Sequence, residues 1–78
     1  MKITIESTAK LVELRTPHGT VRARIWEGHT ASGIPVHCYI TRVAVANDRD
    51  HAEFERELQE HAAPSAEIAA IPLRLLLP

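Results

Sequence analysis

A chain of 78 residues with 45% hydrophobic content has the size and make-up of one globular domain. Nine Lys and Arg against ten Asp and Glu leave a formal charge of −1, which excludes a polybasic nucleic-acid binder or a polyanion mimic built on bulk charge. With only Trp26, Tyr39 and Phe54 as aromatics and a single cysteine, Cys38, the core must come from aliphatic side chains without a disulfide, and so short a chain gains from binding a partner or a second copy.

Ile3 and Ile5 alternate with Lys2, Thr4 and Glu6, and Leu11-Val12-Glu13-Leu14 follows the break at Ser7–Lys10, which reads as one bulged strand or two short ones. Pro17 and Gly19 place a turn within 15–20, making a hairpin with the next run. Along 21–27, Val21, Ala23 and Ile25 fall on one strand face and Arg22, Arg24 and Trp26 on the other. Glycines bracket a loop at 28–33. Residues 34–45 form the longest β-rich segment, with Pro35 at an edge or start position. Val43 and Val45 are out of phase with Val36, Cys38 and Ile40, which predicts a bulge near Thr41-Arg42.

The period changes at Asn47–Asp50. Asp50 as N-cap, Glu53 three residues on, and the stripe Phe54, Leu58, Ala62 predict a helix over 51–62 that Pro64 terminates. Ser65 caps a single helical turn through 66–70, Pro72 forbids its continuation, and Leu73–Leu77 is apolar enough for a last strand. The expected fold is a single α+β domain over 1–78. A small, mostly antiparallel sheet of about four to five strands is packed by one main helix, followed by a short C-terminal helical turn and strand.

The sequence carries no metal-ligand pair of the zinc type: His37 and Cys38 are strand neighbours on opposite faces, and His51 and His61 lie far apart on the predicted helix. Cys38, in phase with Val36 and Ile40, reads as a small core residue rather than a nucleophile. No cofactor, metal site or catalytic residue is expected, and so small a domain leaves little room for a substrate cleft. The start of the chain is strand-like rather than an apolar signal core, no run approaches the ~20 apolar residues of a membrane span, and one cysteine suits a reducing compartment. The expected location is cytoplasmic.

Two surfaces stand out. Glu53, Glu57 and Glu60 crowd the predicted helix, opposed by Arg56 and Arg49, as an acidic ridge able to engage a basic protein surface. The alternative is the sheet face of Arg22, Arg24 and Trp26, with Arg15 and Arg42 nearby. Its cations and indole are too few for direct nucleic-acid binding. The apolar tail Leu73–Leu77 predicts a homodimer.

In texture the segments Lys2–Thr8, Arg24–Gly28, Ser32–Val45, Phe54–Leu58 and Ala63–Glu67 resemble small proteins encoded by bacteriophages and prophages. Among these the chain looks most like the small anti-CRISPR proteins that act on type I systems, compact α+β chains that bind the surveillance complex and prevent DNA recognition. The resemblance implies stoichiometric, non-catalytic inhibition by protein contact in the cytoplasm of the bacterial host. It brings no shared motif, so the candidate residues rest on their own chemistry. A small phage regulator of host or phage transcription is the alternative reading.

Overall fold

The computed structural model describes residues 1–46 and 50–76. Asn47, Asp48 and Arg49, where the sequence changes period, and Leu77 of the predicted last strand lie outside the described residues. The chain runs β1 (Ile3–Thr16), β2 (Gly19–Thr30), β3 (Pro35–Ile40), α1 (His51–Glu57), α2 (Ala66–Ala69) and β4 (Arg74–Leu76). The strands form one sheet in the order β3-β2-β1-β4. Two of its pairings are antiparallel, and β4 lies parallel to β1.

The break at Ser7–Lys10 does not divide the first strand. Between the pairs Ser7–Trp26 and Leu11–Arg24, β1 carries Thr8, Ala9 and Lys10 where β2 carries Ile25 alone. Two extra residues keep the in-and-out alternation on either side of the bulge, because the side-chain period of a strand is two. Thr8 is fully buried there. Its hydroxyl donates to the Ile25 carbonyl at 2.7 Å and accepts from the Lys10 amide at 3.2 Å, and its carbonyl accepts from the Arg24 guanidinium at 2.9 Å.

Val12 and Leu14 of β1 share a face with Ala23 and Ile25 of β2 through the pair Val12–Ala23. Among the described residues these four and Ile68 are the buried hydrophobic core, with Ile71 and Leu75 packed against it. Full burial of a large aliphatic side chain stabilises by ~1.5–3 kcal/mol, so a core this small leaves little margin.

The helices depart from expectation. Helix α1 stops at Glu57, with Leu58 as C-cap, rather than running to Ala62, and it buries no residue. The cause is tertiary: the Ala62 amide donates to Ser7 O at 2.9 Å and its carbonyl accepts from the Ala9 amide at 3.0 Å, which draws the chain out of the helix and onto the bulged edge of β1. Asp50 makes no side-chain cap, because at ψ 17° its backbone is already turning rather than extended. The main helix therefore does not cover the core. That task falls to α2, capped as predicted by Ser65, whose hydroxyl accepts from the Ile68 amide at 3.4 Å. The Lys10 ammonium donates to the Ala69 carbonyl at its C-terminal end at 3.0 Å, where a cation also meets the negative end of the helix dipole.

Strand β3 ends at Ile40, not Val45. The change of phase at Thr41-Arg42 ends the ladder instead of being absorbed by a bulge. Pro35 opens the strand, opposite His29, at a sheet edge as expected. The 31–33 loop closes with Gly33 N donating to Thr30 O and Thr30 N donating to Ile34 O, Gly33 adopting φ +88°. This is a three-residue hairpin with a glycine bulge. The predicted last strand pairs with β1 through Glu13–Arg74, Leu14–Leu75 and Arg15–Leu76. Cys38, expected in the core, is only half-buried, because it stands opposite Trp26 on the face away from Val12 and Ile25.

Two substitutions test this frame. A Cβ on Gly28 would meet the backbone carbonyl of Thr4, so Gly28→Ala is expected to cost about 1–3 kcal/mol by overpacking, read from urea unfolding. Thr8→Val keeps shape but leaves the Ile25 carbonyl and Lys10 amide short of a partner, for an expected loss of about 1–3 kcal/mol. Unchanged midpoints would contradict the assigned roles.

Candidate functional site

The sheet has a second face, turned away from the core. By pairing and alternation it carries Ser7, Leu11 and Glu13 of β1, Arg22, Arg24 and Trp26 of β2, and Cys38 and Ile40 of β3. The sequence-predicted arginine and tryptophan face is thus one face of the sheet. Two shallow clefts divide it.

The first, of about 310 Å³, is floored by Ser7, Arg24, Trp26 and Ile40 and walled on one side by Thr41–Val43. Glu57, Leu58 and His61, from the end of α1 and the chain just after it, form the other wall. The second, of about 350 Å³, lies between β1, Arg22 and the β4 approach at Leu73-Arg74. Arg22 therefore stands apart from Arg24 and Trp26. It lies opposite Glu13, which also meets Arg74 at 3.5 Å in an exposed pair.

The predicted acidic ridge is also divided. Arg56 donates to both oxygens of Glu53, at 3.2 and 3.0 Å, and to Glu60 at 2.9 Å. The hydrogen-bonded Glu53, and then the charge of Glu60, hold the Arg56 guanidinium above its ordinary pKa. Those two carboxylates are spent on one cation, and Glu57 is the member of the ridge that faces the first cleft. One residue of the predicted acidic surface and two of the predicted cationic face thus border the same cleft, where Arg42 joins them.

A Ser–His contact that sequence reasoning missed anchors the wall. Ser7 Oγ donates to the Glu60 carbonyl at 2.9 Å and lies 3.0 Å from His61 Nδ1. In the contact with His61 the donor is set by the imidazole tautomer. The two contacts tie the chain after α1 to β1. The partners are separated by 54 positions, and no local pattern links them.

Among the described residues no group of three or more His, Cys, Asp and Glu side chains is arranged to hold a metal ion, and no helix is long and apolar enough to cross a membrane. Comparison with protein-family models, curated proteins and solved structures finds no match. Geometry alone defines the site: an indole, two guanidinium groups and a carboxylate around a shallow, partly apolar floor.

The electrostatics of the cleft are open to measurement through its single tryptophan. With Arg24 and Arg42 against Glu57 at the rim, iodide is expected to quench Trp26 fluorescence more strongly than caesium at low ionic strength, and Arg42→Glu to reverse the order. Equal quenching by both ions would show that the arginines do not set the potential at the indole.

Proposed function

We propose that the protein is a non-catalytic binding module that inhibits a host defence complex, in the manner of a type I anti-CRISPR protein that blocks DNA recognition by the surveillance complex in the bacterial cytoplasm. The observation that carries the reading is the mixed-charge cleft around Trp26. Tryptophan and arginine in a partly desolvated hollow are the side chains that most often dominate protein–protein binding energy. Arg24 suits the role further, because its bond to the Thr8 carbonyl holds the guanidinium in place before any partner arrives. Glu57 beside the two arginines favours a partner segment with both charges over a bare phosphate backbone, which a carboxylate would repel.

The test is binding of the purified protein to a purified type I surveillance complex, followed by target-DNA binding by that complex. The wild-type protein is expected to abolish DNA binding at stoichiometric ratio. Trp26→Ala is expected to weaken the interaction at least tenfold, about 1.4 kcal/mol. Glu57→Lys weakens it too, whereas Glu53→Lys and Glu60→Lys have smaller effects, because those carboxylates already face Arg56. Failure to bind the complex, with a salt-dependent shift of promoter DNA instead, would replace this reading with transcriptional regulation.

A further inference from the structure

Strand β3 is an outer strand of the sheet, and among the described residues it pairs only with β2. Edge strands offer unpaired amides and carbonyls, and proteins commonly blunt them with charge, brevity or cover. The other outer strand, β4, is three residues long and carries Arg74. Strand β3 runs six residues, Pro-Val-His-Cys-Tyr-Ile, with no Lys, Arg, Asp or Glu.

The hairpin settles which groups face outward. Thr30 N donates to Ile34 O across the pair that closes the loop. Hydrogen-bonded pairs alternate along an antiparallel ladder, so Val36, Cys38 and Ile40, opposite Gly28, Trp26 and Arg24, turn their amides and carbonyls toward β2. Pro35, His37 and Tyr39 turn theirs away. The missing N–H of Pro35 is therefore on the outer side, where the sheet loses nothing by it.

We propose that this edge joins a second copy of the chain, β3 against β3 antiparallel, about a two-fold axis through Cys38. Outward-facing residues must meet outward-facing residues, which restricts the register. Of the registers that overlap most of the strand, the one centred on His37 sets Tyr39 opposite Pro35, whose missing N–H leaves each of those two pairs with a single bond. The one centred on Cys38 sets His37 opposite Tyr39 of the other copy twice over, and each such pair exchanges both of its N–H···O bonds. It also places Val36 opposite Ile40 and Cys38 opposite Cys38 on one face, an uncharged row. A strand that is its own complement in hydrogen bonding, side-chain type and charge meets the requirement of an isologous interface. The two-fold axis is perpendicular to the sheet, so the Trp26 clefts of both copies open on the same side. The inference rests on the β3 edge alone and stands or falls separately from the cleft's partner.

Cys38 reports the register. Residues directly opposite at a non-hydrogen-bonded position have Cα atoms about 4.5 Å apart, within the span of a disulfide. Diamide, which takes up the two thiol hydrogens as it is reduced, is expected to link the wild-type protein into a covalent dimer through Cys38. Light scattering is expected to give a dimer mass that falls toward monomer on dilution, and amide exchange at His37 and Tyr39 to be slow in concentrated and fast in dilute solution. Cys38→Ser keeps the dimer and loses the link. His37→Pro, which removes an outward amide without touching the β2 ladder, gives a monomer that diamide no longer links. A monomer mass for the wild-type protein at all concentrations would overturn the proposal. So would a dimer whose His37 and Tyr39 amides exchange freely, and this reading of the wild-type protein holds even if His37→Pro fails to fold.

Discussion

The hydrogen bond from the Thr8 hydroxyl to the Ile25 carbonyl holds the point on which both faces of the sheet depend. A bulge leaves backbone groups without ladder partners, and inside a protein an unpaired polar group costs more than the net gain from a typical hydrogen bond. Thr8 resolves this from within: one buried side chain serves the facing strand's carbonyl and the amide two residues on. Ala62 then pairs with Ser7 and Ala9 on the outer side of the bulge, and Arg24 donates to the Thr8 carbonyl. A defect in one strand thereby fixes where the chain after α1 docks and where a key guanidinium of the cleft points.

From that point the C-terminal third is laid along the free edge of β1. Ala62 pairs beside the bulge, Lys10 holds the end of α2, and the Glu13 amide donates to Leu73 O as β4 begins, while the Ser65 amide reaches past β1 to the Glu27 carboxylate of β2 at 2.8 Å. These contacts are mainly polar and backbone-mediated. They position Ile68, Ile71 and Leu75 over Val12, Leu14, Ala23 and Ile25, and so complete a core that two strands alone leave open. The fold uses its apolar residues sparingly and leaves several at the surface, among them Leu73 and Leu76, which is 82% exposed. The predicted apolar tail is thus split, with Leu75 turned into the core and its neighbours turned outward.

The cleft and the β3 edge are two consequences of a single choice, the departure of the chain from the sheet after Ile40. By turning away at Thr41, the segment builds a wall of the cleft with Arg42 and Val43 and leaves the outer side of β3 without a neighbour among the described residues. The cleft and the outer edge of β3 therefore adjoin each other, sharing Ile40.

Local chemistry in the sequence determined the hairpin around Pro17 and Gly19, the segregation of Arg22, Arg24 and Trp26 from Val21, Ala23 and Ile25, the edge position of Pro35 and the Ser65 cap. Each depends on alternation, fixed φ or a side chain reaching its own backbone, and these act over a few residues. Tertiary structure decided what those rules cannot reach. Helix α1 ends at Glu57 although its apolar stripe continues to Ala62, because the Ala62 backbone gains ladder partners on β1. Glu57 and Glu53 look alike in sequence, yet Arg56 engages Glu53 while Glu57 faces the cleft. Ser7 and His61 meet across 54 positions of the chain. Such pairings are set by how the backbone's unpaired groups are satisfied at a distance, a constraint that leaves no periodic trace in the order of side chains.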